Sequence, residues 1–249
     1  MEKEYGLIGR KLGHSFSAEF FNKKFHREGL NAHYSLFPLA SISEFPELIK
    51  NHPRLMGLNV TIPYKEEIIP FLQEISEDAK EIGAVNVVKI EEREGEKYLK
   101  GFNTDCIGFK ESLRPLLHKG IESALVLGTG GASKAVGYVL ENFGIKPCFV
   151  SRKPSKGQLQ YEDLTHDTIR ENLLIVNTTP LGMYPQVDHS PLLPYHFISA
   201  SHICYDLVYN PAVTLFMRKA AEQGATIKNG LEMLQLQALA AWKIWEKTR

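Results

Sequence analysis

The chain has 249 residues, enough for one large domain or two of ordinary size. Hydrophobic residues at 43% and charged residues at 23% are close to the globular average, which argues against a disordered chain or a membrane protein. Lys+Arg and Asp+Glu number 29 each, so no net positive charge favours nucleic acid or an anionic membrane. Any anionic ligand must therefore be bound by local donors.

The start of the chain has no basic flank followed by an apolar stretch, and no apolar run of membrane-spanning length occurs. We therefore expect a cytoplasmic protein with no membrane partner. Cys106, Cys148 and Cys204 are odd in number and lack CxxC spacing, and the last two lie in apolar, strand-like runs. This pattern favours reduced core residues over a metal site.

The first hundred residues alternate strand and helix patterns: YGLIG, a helix over 17–28, HYSLFPL, a helix over 42–50, GLNV and a helix from Tyr64. This βαβα order predicts a mostly parallel sheet. Ser17 is well placed as an N-cap, and Pro63 suits a first helical position. VNVVKI and KYLKGF flank the polar EEREGE, which predicts a hairpin with its tip near Gly95.

A second alternation starts at Ser123: SALVLG, a helix over 131–143, PCFVS, LLIVN and HICYDLV. This rhythm is typical of a nucleotide-binding domain. The final helix, from Leu231 to about Glu246, needs a partner sheet for one broad apolar face, formed by Leu231, Leu234, Ala238, Ala241, Trp242 and Trp245.

A glycine cluster, Gly128-Thr129-Gly130-Gly131, lies between the strand LVL and the following helix. Such a turn lets the backbone approach a pyrophosphate, and the helix N-terminus offers free N–H groups and a partial positive charge. The G-x-G-x-x-G pattern is incomplete, because its third position is Ser133. The strand-turn-helix-strand context nevertheless favours a dinucleotide site over tight packing alone.

Ser151-Arg152-Lys153 stands where an NAD-preferring domain places an acidic residue for the ribose 2′-hydroxyl. A guanidinium favours the 2′-phosphate of NADP, and Lys156 could add a second cation. The alternative is a solvated basic loop.

Polar residues of the first hundred also stand beside predicted strand ends. Thr61 and Lys65 follow the strand GLNV, at the edge where parallel sheets bind ligands. Ser15 and Ser17 lie between a strand and a helix, and Asn86 and the trio Asn103-Thr104-Asp105 flank the hairpin. Each alone is explained by capping or by ordinary surface polarity, and sequence alone does not bring them together.

The motifs GHSFS, NVTIPYK, GAVN, GFNTD, LGTGGAS, VSRK, DLVYNP and NGLEMLQLQ follow one another as in the shikimate dehydrogenase family. The chain resembles this family over nearly its whole length. The resemblance implies a catalytic pair, Lys65 and Asp105, and substrate contacts from Ser15, Ser17, Thr61, Asn86, Tyr209 and Gln237. It implies NADP contacts from Gly128, Thr129, Gly130, Gly131, Ala132 and Arg152, and from the backbone around Leu207 and Gly230.

The resemblance also implies an α/β fold with two domains. Residues 1–104 would form a parallel-sheet substrate domain and residues 105–229 a Rossmann-type NADP-binding domain. Residues 230–249 would form a C-terminal helix that returns to the first domain and brings Gln237 to the substrate.

Departures from the family's motifs are modest: Ala18, Val87 and Cys106 replace a usual proline, threonine and glycine. None of them removes a reacting group. The sequence from Asn177 to Pro180 resembles the family's NATxxG loop only loosely, so its contacts stay open.

The implied reaction is the reversible reduction of 3-dehydroshikimate to shikimate, within aromatic amino acid (chorismate) biosynthesis. Reduction of a ketone needs hydride on carbon and a proton on oxygen, and Lys65 is the candidate acid, with Asp105 orienting it. No metal is expected, and the protein is expected to be a monomer or homodimer.

One alternative is a quinate/shikimate dehydrogenase that uses NAD or NADP. Others are a dinucleotide sensor without turnover, opposed by Lys65 and Asp105, and a methyltransferase, opposed by Arg152.

Overall fold

The computed structural model describes residues 2–13 and 15–247. They form two compact units, each built on its own sheet. The first unit contains the chain up to Thr104 and again from Ala238 onward, and the second contains Asp105 to Gln237. The expected α/β fold class is confirmed. Among the described helices, none is both long and apolar enough to cross a membrane.

The sheet of the first unit has six strands in the order β2-β1-β3-β5-β6-β4. Its elements are β1 (Lys3–Gly9), α1 (Phe16–Arg27), β2 (Ala32–Pro38), α2 (Phe45–Asn51), β3 (Leu55–Val60), β4 (Glu74–Ile75), α3 (Glu77–Ile82), β5 (Val87–Arg93) and β6 (Glu96–Phe102). Strand β1 pairs in parallel with β2 and β3, whereas β5 is antiparallel to β3 and β6. The predicted hairpin is confirmed, with positive φ at Glu94 and Gly95, and it makes this sheet mixed.

Helix α1 begins one residue earlier than predicted, which changes its cap. Ser15 has an extended backbone, and its hydroxyl accepts a hydrogen bond from the N–H of Ala18 at 3.4 Å. Ser15 is therefore the N-cap. The prediction that Ser17 caps this helix is wrong, because Ser17 lies in the first turn.

The helix predicted from Tyr64 does not form, so Pro63 does not begin one. Residues 62–68 form turns with separate hydrogen bonds, such as Tyr64 N–H to Thr61 O at 3.0 Å, and only a short 3₁₀ helix follows, Ile69–Phe71. Pro70 lacks an N–H to continue a helical hydrogen-bond series. The segment after β3 is therefore a compact turn structure.

The sheet of the second unit has five parallel strands in the order β11-β10-β9-β7-β8. Its elements are α4 (Asp105–Leu113), β7 (Ser123–Leu127), α5 (Gly131–Asn142), β8 (Lys146–Val150), α6 (His166–Glu171), β9 (Leu174–Asn177), β10 (Ile203–Asp206), α7 (Leu215–Ala221) and β11 (Thr226–Lys228). After β7, the chain forms β8 on one side of β7 and then returns to form β9 on the other side of β7. This reversal creates the crevice at the carboxyl ends of the strands where open α/β sheets bind ligands.

Helix α8 (Leu231–Glu246) begins in the second unit and ends in the first. From Ala238 onward its buried side chains join the core of the first unit, where Trp242 and Trp245 pack on Tyr5 and Phe21. The expectation that Leu231 lies on the buried face is wrong, because Leu231 is 39% exposed. The apolar face is therefore used mainly in the second half of the helix.

The end of α8 is fixed by Trp245, whose indole N–H donates to the carbonyl of Val88 at 3.1 Å. Gly57 on β3 leaves room for this ring. A Cβ at Gly57 would lie 2.3 Å from Trp245 Nε1, which is well inside van der Waals contact.

Gly57→Ala is expected to displace the Trp245 ring and lower the free energy of unfolding by about 1–3 kcal/mol, the usual cost of overpacking. Both tryptophans of the chain lie in this part of the first unit. Urea unfolding followed by tryptophan fluorescence therefore measures the effect.

Gly13→Ala is the matched control, because a Cβ there meets no atom within 4 Å. It should leave the free energy of unfolding unchanged or raise it by up to about 1 kcal/mol. Equal unfolding curves for the two variants would contradict this account of the Trp245 contact.

Candidate functional site

The carboxyl ends of β1 and β3 meet at one edge of the first sheet, and four predicted site residues follow them. The N–H of Thr61 donates to Ile8 O at 2.9 Å, which ties the end of β3 to β1. Thr61 and Lys65 lie in the turns after β3 and are half-buried. Ser15 and Ser17, also half-buried, lie at the start of α1. The remaining polar side chain of GHSFS, His14, lies outside the described residues.

The turn that carries Lys65 is held at two points. The carbonyl of Lys65 accepts a hydrogen bond from Val85 N–H at 2.7 Å. The neighbouring Tyr64 ring is fully buried, and its hydroxyl donates to Leu39 O at 2.6 Å. The backbone at Lys65 is therefore fixed, although it is not helical.

Asn86 is 4% exposed and lies just before β5. Its amide nitrogen donates to Thr104 Oγ1 at 3.1 Å, and its amide oxygen accepts from Thr104 N–H at 2.7 Å. Asn103 donates to Ala84 O at 2.9 Å. These bonds join GAVN to GFNTD across the hairpin. The structure therefore brings together two motifs that the sequence could place only beside the hairpin.

Two further polar residues lie behind this edge and were missed in the sequence. The hydroxyl of Tyr34, on β2, donates to Asn59 Oδ1 at 2.7 Å, and Asn59 Nδ2 donates to Asn86 O at 3.4 Å. Burial raises the pKa of Tyr34 well above its ordinary value. The available signal was Asn59, a polar residue in the otherwise apolar strand LMGLNV, whereas Tyr34 stands between the polar residues His33 and Ser35 and gave no such signal.

Asp105, the other predicted catalytic residue, begins α4 in the second unit and is 8% exposed. Helix α4 packs closely on the first half of α8, because a Cβ at Gly108 would lie 2.4 Å from Met233 O. Gln237 lies one turn further along α8, and its amide donates to Leu234 O at 3.0 Å. The helices that carry Asp105 and Gln237 are therefore in contact within this unit.

The glycine turn follows β7 as predicted. Gly128 has a φ of 110°, and its N–H donates to Val150 O at 2.9 Å. Gly130 is the N-cap of α5, and a Cβ there would meet no atom within 4 Å. Thr129, Gly131 and Ala132 complete the turn and the first helical positions. The backbone N–H groups of a helix start thus stand at an open face, as pyrophosphate binding requires.

Ser133 replaces the third glycine of the pattern without opening the turn. It is 1% exposed, and its hydroxyl donates to Gly130 O at 2.6 Å. The incomplete motif therefore still allows a tight strand-to-helix connection.

Arg152 is exposed directly after β8, the strand next to the glycine turn. Within the described ranges, no carboxylate pairs with its guanidinium. A guanidinium in this place fits a 2′-phosphate.

A buried polar network, missed in the sequence, organises the loops after β9 and β10. Asp206 accepts hydrogen bonds from Asn177 Nδ2 at 2.9 Å, Thr214 Oγ1 at 2.6 Å and Val208 N–H at 3.0 Å. Burial raises the pKa of Asp206 to about 6, and the three donors oppose this shift. Thr178, in the same loop as Asn177, donates to Leu127 O at 2.6 Å beside the glycine turn.

Leu207 and Gly230, both predicted to contact the cofactor through their backbone, lie together. A Cβ at Gly230 would be 2.0 Å from Leu207 O, so only glycine fits. Tyr209, a predicted substrate contact in the same loop, is half-buried, and burial raises its pKa.

Other features of the described chain hold none of the predicted site residues. A cavity of about 640 Å³ lies at the amino-terminal edge of the first sheet, bounded by Lys3, Ala32, Met56, Trp245 and others. In the ranges 2–13 and 15–247, no cluster of three or more His, Cys, Asp or Glu side chains is arranged to hold a metal ion. All three cysteines are reduced thiols, with Cys106 and Cys204 buried and Cys148 half-buried.

Comparison with known proteins gives full-length matches. The sequence model described as the shikimate dehydrogenase substrate binding domain matches residues 7–88. The shikimate dehydrogenase (NADP(+)) of Caldicellulosiruptor saccharolyticus is 37% identical, covering 98% of this chain and 92% of that protein. The enzyme of the same name from Aquifex aeolicus is 40% identical, covering 97% and 90%.

A solved structure extends the match to the fold. The shikimate 5-dehydrogenase of Thermus thermophilus, in complex with NADP(H) and shikimate, superimposes with a TM-score of 0.84. It is 31% identical, and the match covers 98% of this chain and 93% of that one. Because these relatives are more than 35% identical over almost the whole chain, the chain belongs to the shikimate dehydrogenase family.

Proposed function

We propose that this chain is an NADP-dependent shikimate dehydrogenase that reversibly reduces 3-dehydroshikimate to shikimate in chorismate biosynthesis. The observation that carries the proposal is the edge of the first sheet, where five predicted site residues lie on neighbouring strands. Ser15, Ser17, Thr61 and Lys65 follow the ends of β1 and β3, and Asn86 comes directly before the antiparallel β5. These residues come from three separate motifs of the family. The full-length similarity to NADP(+) enzymes supports the same reaction.

The first unit is proposed to bind the substrate and the second to bind NADP. The glycine turn from Gly128 to Ala132 would hold the pyrophosphate, Arg152 the 2′-phosphate, and the backbone at Leu207 and Gly230 the rest of the cofactor. The open face at Gly130 fits this cofactor, since a Cβ there has no neighbour within 4 Å. When bound, NADPH supplies the hydride for the ketone carbon.

Lys65 is proposed to act on the oxygen of the same ketone. As an ammonium it donates a proton to the oxygen as negative charge develops there, and in the reverse direction the neutral amine accepts that proton. Asp105 is proposed to orient Lys65 and to balance its positive charge. Ser15, Ser17, Thr61, Asn86, Tyr209 and Gln237 bind the carboxylate and ring hydroxyls, which supplies orientation.

The protein is proposed to work in the cytoplasm as a monomer or homodimer, with shikimate and NADP as its small-molecule partners. Use of quinate, or of NAD, is the second candidate activity. Arg152 favours NADP over NAD, because a cation there pairs with the 2′-phosphate that NAD lacks.

Lys65→Ala is expected to lower kcat by on the order of 10²–10⁴-fold, the usual worth of a positioned general acid or base. The KM for shikimate should change much less, because Lys65 acts on charge that develops in the transition state. Single-turnover rates at saturating shikimate and NADP measure the loss.

Lys80→Ala, at an exposed lysine of α3, is the control and should keep the parent rate. Asp105→Asn should also impair turnover, and the double variant should lose less than the product of the two single losses. A Lys65→Ala rate within a few fold of the parent would leave Lys65 without a catalytic role.

Arg152→Asp is expected to weaken NADP far more than NAD, because it deletes a charge-assisted contact worth about 1.5–3 kcal/mol and adds repulsion. The preference for NADP should fall by at least about tenfold. Steady-state KM values for both cofactors measure it.

Arg170→Asp makes the same charge reversal at an exposed residue of α6. It should leave the KM values for NADP and NAD unchanged. If Arg152→Asp behaves like Arg170→Asp, Arg152 is only a solvated loop residue.

A further inference from the structure

Tyr34 differs from the other aromatic residues of the first unit because its hydroxyl is bonded to Asn59, which in turn bonds to the predicted substrate contact Asn86. It lies on β2, and its side chain is buried. Its ring stacks on Phe21 of α1, with centroids 4.9 Å apart and an interplanar angle of 13°. The ring alone therefore accounts for the packing.

The hydroxyl of Tyr34 has its partner on another strand. It donates to Asn59 Oδ1 at 2.7 Å, near the end of β3 and two residues before Thr61. Because the Tyr34 ring stacks on Phe21, this one buried residue joins α1 to the end of β3.

The connection continues to the hairpin. Asn59 Nδ2 donates to Asn86 O at 3.4 Å, and the Asn86 side chain is bonded to Thr104. Tyr34 and Asn59 therefore link β2 to Asn86, a predicted substrate contact that is far from Tyr34 in sequence.

We propose that Tyr34 is a positioning residue for substrate binding, which acts by holding the side chain of Asn59, and through it Asn86, in a fixed orientation. This inference rests on the proposed function, because it takes Asn86 as a substrate contact. Substrate then meets hydrogen-bond partners that are already oriented, so less rotational freedom is lost when it binds.

A purely structural role does not explain the hydroxyl. Phenylalanine would fill the same space, and a buried hydroxyl costs free energy unless it is hydrogen-bonded. The side-chain partner of this hydroxyl is Asn59, which bonds to the backbone of Asn86 at the predicted site. Burial also keeps the phenol protonated, because it raises the pKa of Tyr34 well above its ordinary value, so the donor to Asn59 is permanent.

Tyr34→Phe is expected to raise the KM for shikimate by about three- to tenfold, the range for loss of a neutral hydrogen-bond partner. The kcat should stay within about twofold, and the KM for NADP should not change. Initial-rate kinetics with full-length protein, at varied shikimate and varied NADP, separate these constants.

Tyr205→Phe is the matched control. Tyr205 is also fully buried, and its hydroxyl is bonded to Ser112 Oγ at 2.7 Å in the second unit. This variant deletes the same kind of bond and should leave the KM for shikimate unchanged. An equal rise in both variants would overturn the proposal, because it would reflect general destabilisation.

Asn59→Ala tests the same connection from its other end and serves if Tyr34→Phe fails to fold. It should also raise the KM for shikimate. The KM of the double variant should be less than twofold above the KM of the more affected single variant, since the two residues act through one bond.

The remaining outcomes separate the two proposals. Wild-type turnover together with an unchanged shikimate KM in Tyr34→Phe would overturn the role of Tyr34 alone, and so would a lower kcat at constant KM. Absence of wild-type turnover would overturn the proposed function and this inference with it.

Discussion

The hydrogen bonds between Asn86 and Thr104 are the interaction on which the predicted site depends. Both residues are buried, so their polar atoms have no water to replace a lost partner, and breaking the pair would cost more than one exposed bond. Thr104 is followed directly by Asp105, the predicted partner of Lys65. The pair therefore fixes the point where the chain leaves the first unit and where α4 begins.

The second unit also contains a buried network of polar side chains. Asp206 is fully buried at the end of β10 and accepts hydrogen bonds from Asn177 after β9 and from Thr214 before α7. Loops at the carboxyl ends of parallel strands are otherwise free to move, because they have no strand partners of their own. In both units a buried polar network replaces those partners, which preorganises the loops that would bind ligands.

Long, strongly patterned elements could be predicted from the sequence. The hairpin, the strand before the glycine turn and helix α5 were found because their patterns are local. The helix predicted from Tyr64 was wrong because its polar and apolar spacing also suits turns held by buried Tyr64 and Ile68. Ser15 and Ser17 offer the same capping chemistry two residues apart, and only the backbone conformation selects Ser15.

Contacts between distant residues could not be predicted. Tyr34 and Asn59 are 25 residues apart, and Asn177 and Asp206 are 29 apart. Strand order brings each pair together, and strand order is a property of the folded sheet. The roles of Lys65, Asp105 and the other site residues stay predictions, because they came from the resemblance and the structure supplies only their local settings.

In the reverse direction of the proposed reaction, this chain is expected to oxidise shikimate with NADP. The direct measurement uses purified protein with shikimate or quinate and NADP or NAD, and follows the absorbance of the reduced nicotinamide. Shikimate with NADP should give the highest kcat/KM of the four combinations. Absence of turnover in all four, or a preference for quinate with NAD, would contradict it.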